Sequence, residues 1–144
     1  MPLHERSLYV TYTTYLEQIP MFRSCSETEL DHIADLASAT TVAEDQTIIQ
    51  QGDLADEFFV IVSGSAHVIR DGKPIASLGP GDYFGELALF DRALRNATVT
   101  ATSPVELVSF SRGAFDELLN EVGSLRSALL TGMAKRLHEL EGRA

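Results

Sequence analysis

The chain has one cysteine, Cys25, in 144 residues, so no internal disulfide can form. A lone thiol fits a reducing compartment, and a cytoplasmic location is expected. No apolar run approaches the roughly 18 residues that a membrane span needs, and the N-terminus has no apolar core of a signal peptide. Positive charge is scarce: Lys and Arg number 11 against 21 Asp and Glu, a formal net charge of −10. Nucleic-acid binding usually needs a basic face, so no DNA-binding partner is expected. Any anionic ligand must be held by local donors and not by the overall field. Histidine is sparse and scattered, at His4, His32, His67 and His138. Only His67 falls on a predicted strand, and no His-x-His pair occurs. A metal-dependent jelly-roll enzyme needs clustered imidazoles on adjacent strands, so no metal is expected. No Ser or Cys has the setting of a nucleophile, and no enzyme activity is expected. Internal repeats and low-complexity tracts are also lacking.

What remains is globular: 44% hydrophobic and 22% charged, long enough to bury one core. A single domain over 1–144 is expected. Ser26 followed by Glu29 is a capping box, which predicts a helix over 27–38 with Leu30, Ile33, Ala34 and Ala37 on its apolar face. Short strand signals follow: ATTVAE, TIIQ, EFFVIVSG, SAHVIR, PIASL, NATVTA and VELVSF. Asp71-Gly72 is a strong hairpin turn, and residues 79–82 make another. Many short strands with close turns read as a sandwich or jelly roll. After Phe110 the apolar period changes from 2 to 3.6. Ser111 is the candidate N-cap of a helix through Phe115, Leu118 and Leu119, and Gly123 is expected to break it. A last helix, from about Ser124 to Glu141, carries Leu130, Met133, Leu137 and Leu140 at spacings of 3, 4 and 3.

One stretch concentrates chemistry: FGELALFDRALRNATV, starting at Phe84. Gly85 permits close backbone approach. Glu86, Leu87, Ala88 and Leu89 are good helix formers, and a helix starting here would aim free N–H groups at an anion. A guanidinium binds phosphate oxygens by charge-assisted bonds, and a carboxylate accepts from a hydroxyl. Taken singly these residues specify no ligand. Glu86 in a first turn also complements the helix dipole, an arginine near a strand start is usually a solvated charge, and Arg92 has the same claim as Arg95.

Two separated motifs combine to a stronger statement. The first is Ile48-Ile49-x-x-Gly52-Asp53-x-Ala55-x-x-Phe58-Phe59-Val60-Ile61-x-x-Gly64. The second is Phe84-Gly85-Glu86-x-Ala88-Leu89, five residues, then Arg95-x-Ala97-x-Val99-x-Ala101. With Leu16-x-x-Ile19-Pro20-x-Phe22 upstream, the chain resembles the cyclic nucleotide-binding domains of the catabolite activator protein, kinase regulatory subunits and cyclic-nucleotide-gated channels.

The resemblance implies an α+β fold: an eight-stranded β-roll at 39–110, an N-terminal helical segment at 1–38 and two C-terminal helices at 111–141. It implies a phosphate-binding cassette at 84–97 and selects Arg95 over Arg92 as the phosphate ligand. Backbone N–H groups of Ala88 and Asn96 would face the other phosphate oxygen. Glu86 would accept the ribose 2′-OH, with Gly85 and Leu87 shaping the ribose side, and Phe84 and Ala97 belong to the same ligand-binding set. Val68 and Ile75 match apolar positions beside the purine, and equally suit plain strand core. Asn96 stands where the family carries a small Ser, Thr or Ala, which opens the choice between cAMP and cGMP; the absence of Thr tilts it to cAMP. The implied function is a non-catalytic regulatory module with no cofactor. Its ligand is cAMP or cGMP, which would reposition the C-terminal helix, with Gly123 as candidate hinge. That helix could face a second chain or an effector protein. The alternative is a ligand-unresponsive interaction scaffold of the same fold.

Overall fold

The computed structural model describes residues 16, 17, 19, 22–85 and 94–142, and the side chains of all of these except 124, 133 and 136–142. They fall into two compact units: residues 36–115, and a helical unit made of the described residues before 36 and after 115.

The first unit is a two-sheet antiparallel roll. Its strands are β1 (Ser38–Val42), β2 (Thr47–Ile49), β3 (Glu57–Ser63), β4 (Ala66–Arg70), β5 (Lys73–Leu78), β6 (Tyr83–Phe84), β7 (Thr98–Ala101) and β8 (Val105–Ser111). One sheet has the order β1-β8-β3-β6, the other β2-β7-β4-β5. This is the eight-stranded roll that the family resemblance implies. Seven of its strands had visible apolar runs; β6 is too short to show one, and pairs Phe59 with Phe84 and Val60 with Tyr83.

The core between the sheets takes Phe59, Ile61, Phe84, Val105 and Leu107 from one and Ala66, Val99 and Ala101 from the other. Alternation of side chains along β3 explains why EFFVIVSG looked continuously apolar. Phe59 and Ile61 enter that core, while Phe58 faces the opposite side. There Phe58 stacks on Phe110 (centroids 5.0 Å apart) and meets Phe115 edge-on at 4.9 Å. The hairpin between β4 and β5 turns at Asp71 (φ 53°) and Gly72 (φ 78°). Positive φ at both central residues is the type I′ requirement, and it carries the right-handed strand twist through two residues.

In the helical unit, Leu16, Ile19 and Phe22 are buried at a spacing of three. The N–H of Ile19, Phe22 and Cys25 each reaches the carbonyl three residues earlier, at 2.9 to 3.1 Å. Helix α1 (Glu27–Leu36) starts at the capping box: Glu29 N donates to Ser26 Oγ at 3.1 Å, and Ser26 N donates to Glu29 Oε1 at 2.8 Å.

Helix α2 (Arg112–Glu121) is capped by Ser111, whose Oγ accepts from Ala114 N at 3.2 Å. Helix α3 (Gly123–Gly142) follows after one residue. The break expected at Gly123 falls one residue before it: α2 ends at Glu121, Val122 lies in neither helix, and Gly123, without a positive φ, opens α3. Val122 N donates to Leu118 O and Arg126 N to Val122 O, both at 3.0 Å, so Val122 closes the last turn of α2 and begins the first turn of α3. Arg126 Nη1 also donates to Leu119 O at 3.3 Å, covering a carbonyl at the end of α2. The buried face at this junction is Leu118, Val122, Leu125 and Leu129, at spacings of 4, 3 and 4. Leu130, which the sequence placed on the apolar stripe, is 50% exposed. The side chains of Met133, Leu137 and Leu140 lie outside the described residues.

Candidate functional site

The two motifs meet. Gly52 N donates to Arg95 O at 2.9 Å, and Arg95 N donates to Asp53 O at 2.8 Å. An isolated antiparallel bridge joins Leu54 to Leu94 beside them. The Gly-Asp of the first motif thus clamps the backbone of the arginine of the second from both sides. Gly52 has a φ of 92°, a conformation open to glycine and strained for other residues.

The Arg95 side chain runs inward and is 5% exposed. Its Nη1 donates to Gly85 O at 2.7 Å, and its Nη2 donates to Glu57 O. Burying a guanidinium without partners costs several kcal/mol, and two carbonyl acceptors both satisfy and orient the fork. Gly85 has a φ of 88°, and a Cβ built there would lie 2.7 Å from Arg95 Nη1. The glycine is therefore required by the arginine: any side chain would occupy the guanidinium's place. Phe84, immediately before it, is buried and stacks on Phe59 with centroids 5.2 Å apart. This stack anchors the start of the cassette in the core of the roll.

On the far side of Arg95, Asn96 is exposed and Ala97 buried. The Asn96 carbonyl accepts from Arg70 Nε at 3.1 Å. Among the described residues no acceptor meets the Asn96 N–H. Thr98 Oγ1 accepts from Gln51 N at 2.9 Å, and the Gln51 side chain pairs twice with Asp71 at 2.9 and 3.0 Å. These bonds tie the tip of the β4–β5 hairpin to the rim of the arginine loop.

Val68 is half-buried against the core between the sheets, as a strand residue. Ile75 differs: the register pairs Val68 with Ala76 and Ile69 with Pro74, which leaves Ile75 as the bulged residue of β5. A bulge re-aims a side chain relative to the plain alternation of its strand. Of the predicted site residues, the structure brings Phe84, Gly85, Arg95, Asn96 and Ala97 together; Glu86, Leu87 and Ala88 lie outside the described residues.

Sequence reasoning missed two participants. Glu57 contributes only its carbonyl, which no side-chain pattern reports. Arg112, the first residue of α2, donates from Nη2 to Ala55 O at 2.6 Å, and its N–H reaches Asp56 O at 2.9 Å. The segment that holds Arg95 through Glu57 is therefore also held by the start of a helix.

A two-sheet antiparallel roll whose loops fix a buried arginine against a positive-φ glycine defines a small-ligand-binding β-roll domain. The model of the cyclic nucleotide-binding domain matches residues 39–122, and the chain belongs to that family. The cAMP-dependent protein kinase regulatory subunit of Schizosaccharomyces pombe is 36% identical over 118 residues, 81% of this chain and 29% of that protein. The chain thus spans under a third of the length of that relative. Among solved structures, PKAR CBD2 bound to Sp-2Cl-cAMPS superposes with a TM-score of 0.80 at 28% identity, covering 94% of this chain and 93% of that one. The regulatory domain of Toxoplasma gondii PKA with cAMP gives a TM-score of 0.80 at 25% identity, covering 90% and 51%. No helix of the described residues is long and apolar enough to cross a membrane.

Proposed function

We propose that this chain is a non-catalytic cyclic-nucleotide sensor whose ligand is cAMP, and that the cassette at 84–97 is its site. The observation that carries the reading is the Arg95 cradle: a buried guanidinium aimed by Gly85 O and Glu57 O, inside a family whose relatives are cAMP-dependent regulatory subunits. In this reading Arg95 takes one phosphate oxygen. The Asn96 N–H, together with that of Ala88, takes the other, and Glu86 accepts the ribose 2′-OH. Ile75, re-aimed by its bulge, lies with Val68 on the base side. Asn96 leaves the site without the Thr that accompanies guanine preference.

The test is calorimetric titration of the full chain with cAMP and cGMP. Saturable heat is expected from cAMP at micromolar ligand, with cGMP weaker. No heat from either at high micromolar ligand overturns the assignment, and tighter cGMP overturns the choice of base.

The signal would leave through Arg112. A ligand moves a helix only by its differential affinity for two arrangements, so the site must be mechanically joined to that helix. Residues 55–57 supply the joint, held by Arg95 on one side and Arg112 on the other. The output is a shift of the C-terminal helix, with the 122–123 junction as hinge, read by an effector of the kinase class or by a second copy in the cytoplasm. Arg112→Ala is expected to leave cAMP affinity within about threefold of wild type, roughly 0.7 kcal/mol. The same change is expected to abolish the ligand-induced change in amide exchange of α3. An exchange response equal to wild type would remove Arg112 from the path.

A further inference from the structure

The helical unit contains a second group of convergent side chains, remote in sequence from the cassette. Glu117 and Glu121 are four apart on α2, so both carboxylates project from one face of that helix. His32, on α1, points its Nε2 between them, 2.8 Å from Glu121 Oε2 and 3.6 Å from Glu117 Oε1. The three ligand atoms all lie within 4.8 Å of one another. The Nε2 atom itself is shielded from solvent, and among the described residues it has no formed hydrogen bond. A carboxylate oxygen within hydrogen-bond distance but out of hydrogen-bond alignment leaves a buried nitrogen unsatisfied, an arrangement native structures rarely keep.

We propose that His32, Glu117 and Glu121 form a binding site for a divalent first-row transition cation of the Zn²⁺ type, which clamps α1 to α2. The chemistry fits on three counts. A tetrahedral Zn²⁺ has ligand distances of about 2.0–2.2 Å to imidazole nitrogen and carboxylate oxygen, which places its ligand atoms about 3.4 Å from one another. The observed separations of 2.8 and 3.6 Å bracket that value, so small side-chain rotations complete the site. Two carboxylates and a neutral imidazole balance the charge of the dication. The imidazole favours Zn²⁺, Co²⁺ and Ni²⁺ over Ca²⁺ and Mg²⁺, which prefer all-oxygen sites. Three protein ligands leave a fourth position for water, so the ion is exchangeable.

The experiment titrates the full chain, after EDTA treatment and dialysis, with Zn²⁺ by calorimetry and with Co²⁺ by visible absorption. One equivalent of Zn²⁺ is expected to bind with micromolar affinity and to raise the melting temperature. Co²⁺ is expected to give the intense d–d bands of four-coordinate geometry. His32→Ala and Glu121→Gln are each expected to weaken Zn²⁺ binding at least tenfold, whereas His67→Ala leaves it unchanged. Because Glu121 is more than half exposed, its variant folds even where His32→Ala does not. Absence of Zn²⁺ heat, or Zn²⁺ binding that neither variant alters, overturns the proposal. A melting temperature that Zn²⁺ leaves unmoved does so too.

Discussion

Arg95→Lys is expected to weaken cAMP binding by more than tenfold, about 1.4 kcal/mol, with a smaller fall in melting temperature than Arg95→Ala. Arg95→Ala is expected to lower both. The two variants separate charge from geometry. Lysine keeps the positive charge but replaces a planar fork of five donors with a compact ammonium of three. It can reach one of the two carbonyls that Arg95 holds, Gly85 O or Glu57 O, but cannot hold both and still present donors to a phosphate. Alanine leaves both carbonyls without their side-chain donor in a site where Arg95 is only 5% exposed. An unsatisfied buried acceptor costs about 1–3 kcal/mol. At roughly 3 °C per kcal/mol for a chain of this size, a fall of several degrees follows. Calorimetric affinities beside thermal melts check both parts. Wild-type affinity in both variants would remove Arg95 from the ligand. A melting loss without an affinity loss would reduce it to a structural brace.

The separation of these roles was not legible in the sequence. Periodicity and capping identified most of the elements because their signals are local. Ser26 and Glu29 are three residues apart and bond each other reciprocally, and Asp71-Gly72 carries both positive φ values of its turn. The arginine was legible as a ligand candidate because its spacing from Gly-Glu matches a family motif. Its partners were not, because both are backbone carbonyls and one, Glu57 O, lies 38 residues away. The bulge at Ile75 is a property of register, which depends on β4 as much as on β5.

The C-terminal helix shows a different failure. Leu130, Met133, Leu137 and Leu140 satisfy a helical stripe on spacing alone. Val122, Leu125 and Leu129 satisfy another, and only the tertiary structure tells that the second is buried around the junction while Leu130 is half exposed. The break between α2 and α3 was legible to within one residue, because glycine disfavours a helix interior; it falls at Val122, with Gly123 as the first residue of α3. The histidine cluster had no sequence signal at all, since His32 and Glu117 are 85 residues apart and meet only when α1 and α2 are in place.

Three glycines with the same backbone sign offer the sharpest test of which positions the fold needs and which the ligand needs. Gly52, Gly64 and Gly85 have φ of 92°, 92° and 88°, so alanine is strained at each, at about 1–3 kcal/mol. Their surroundings differ. At Gly52 nothing lies within 4 Å of an added Cβ, and an alanine there keeps the N–H that Arg95 O accepts. At Gly64 the Cβ would lie 2.2 Å from Pro104 O and 2.9 Å from Val105 Cα, both backbone atoms at the start of β8. They cannot yield without moving a strand that pairs with both β1 and β3. At Gly85 the near atom is Arg95 Nη1 at 2.7 Å, the far end of a side chain, with Glu57 O at 3.3 Å behind it. The arginine can swing aside, so the fold survives and the cradle does not. Gly64→Ala is therefore expected to cost more than about 4 kcal/mol, a melting loss on the order of 10 °C or more, with ligand affinity retained in whatever fraction folds. Gly85→Ala is expected to melt closer to Gly52→Ala yet lose at least tenfold in cAMP affinity, about 1.4 kcal/mol, and Gly52→Ala to lose little of it. Melting curves and calorimetry on the three variants decide the matter. A Gly85→Ala protein that binds as wild type would show that the guanidinium need not sit against Gly85. A Gly64→Ala protein no less stable than Gly52→Ala would show that β8 can yield after all.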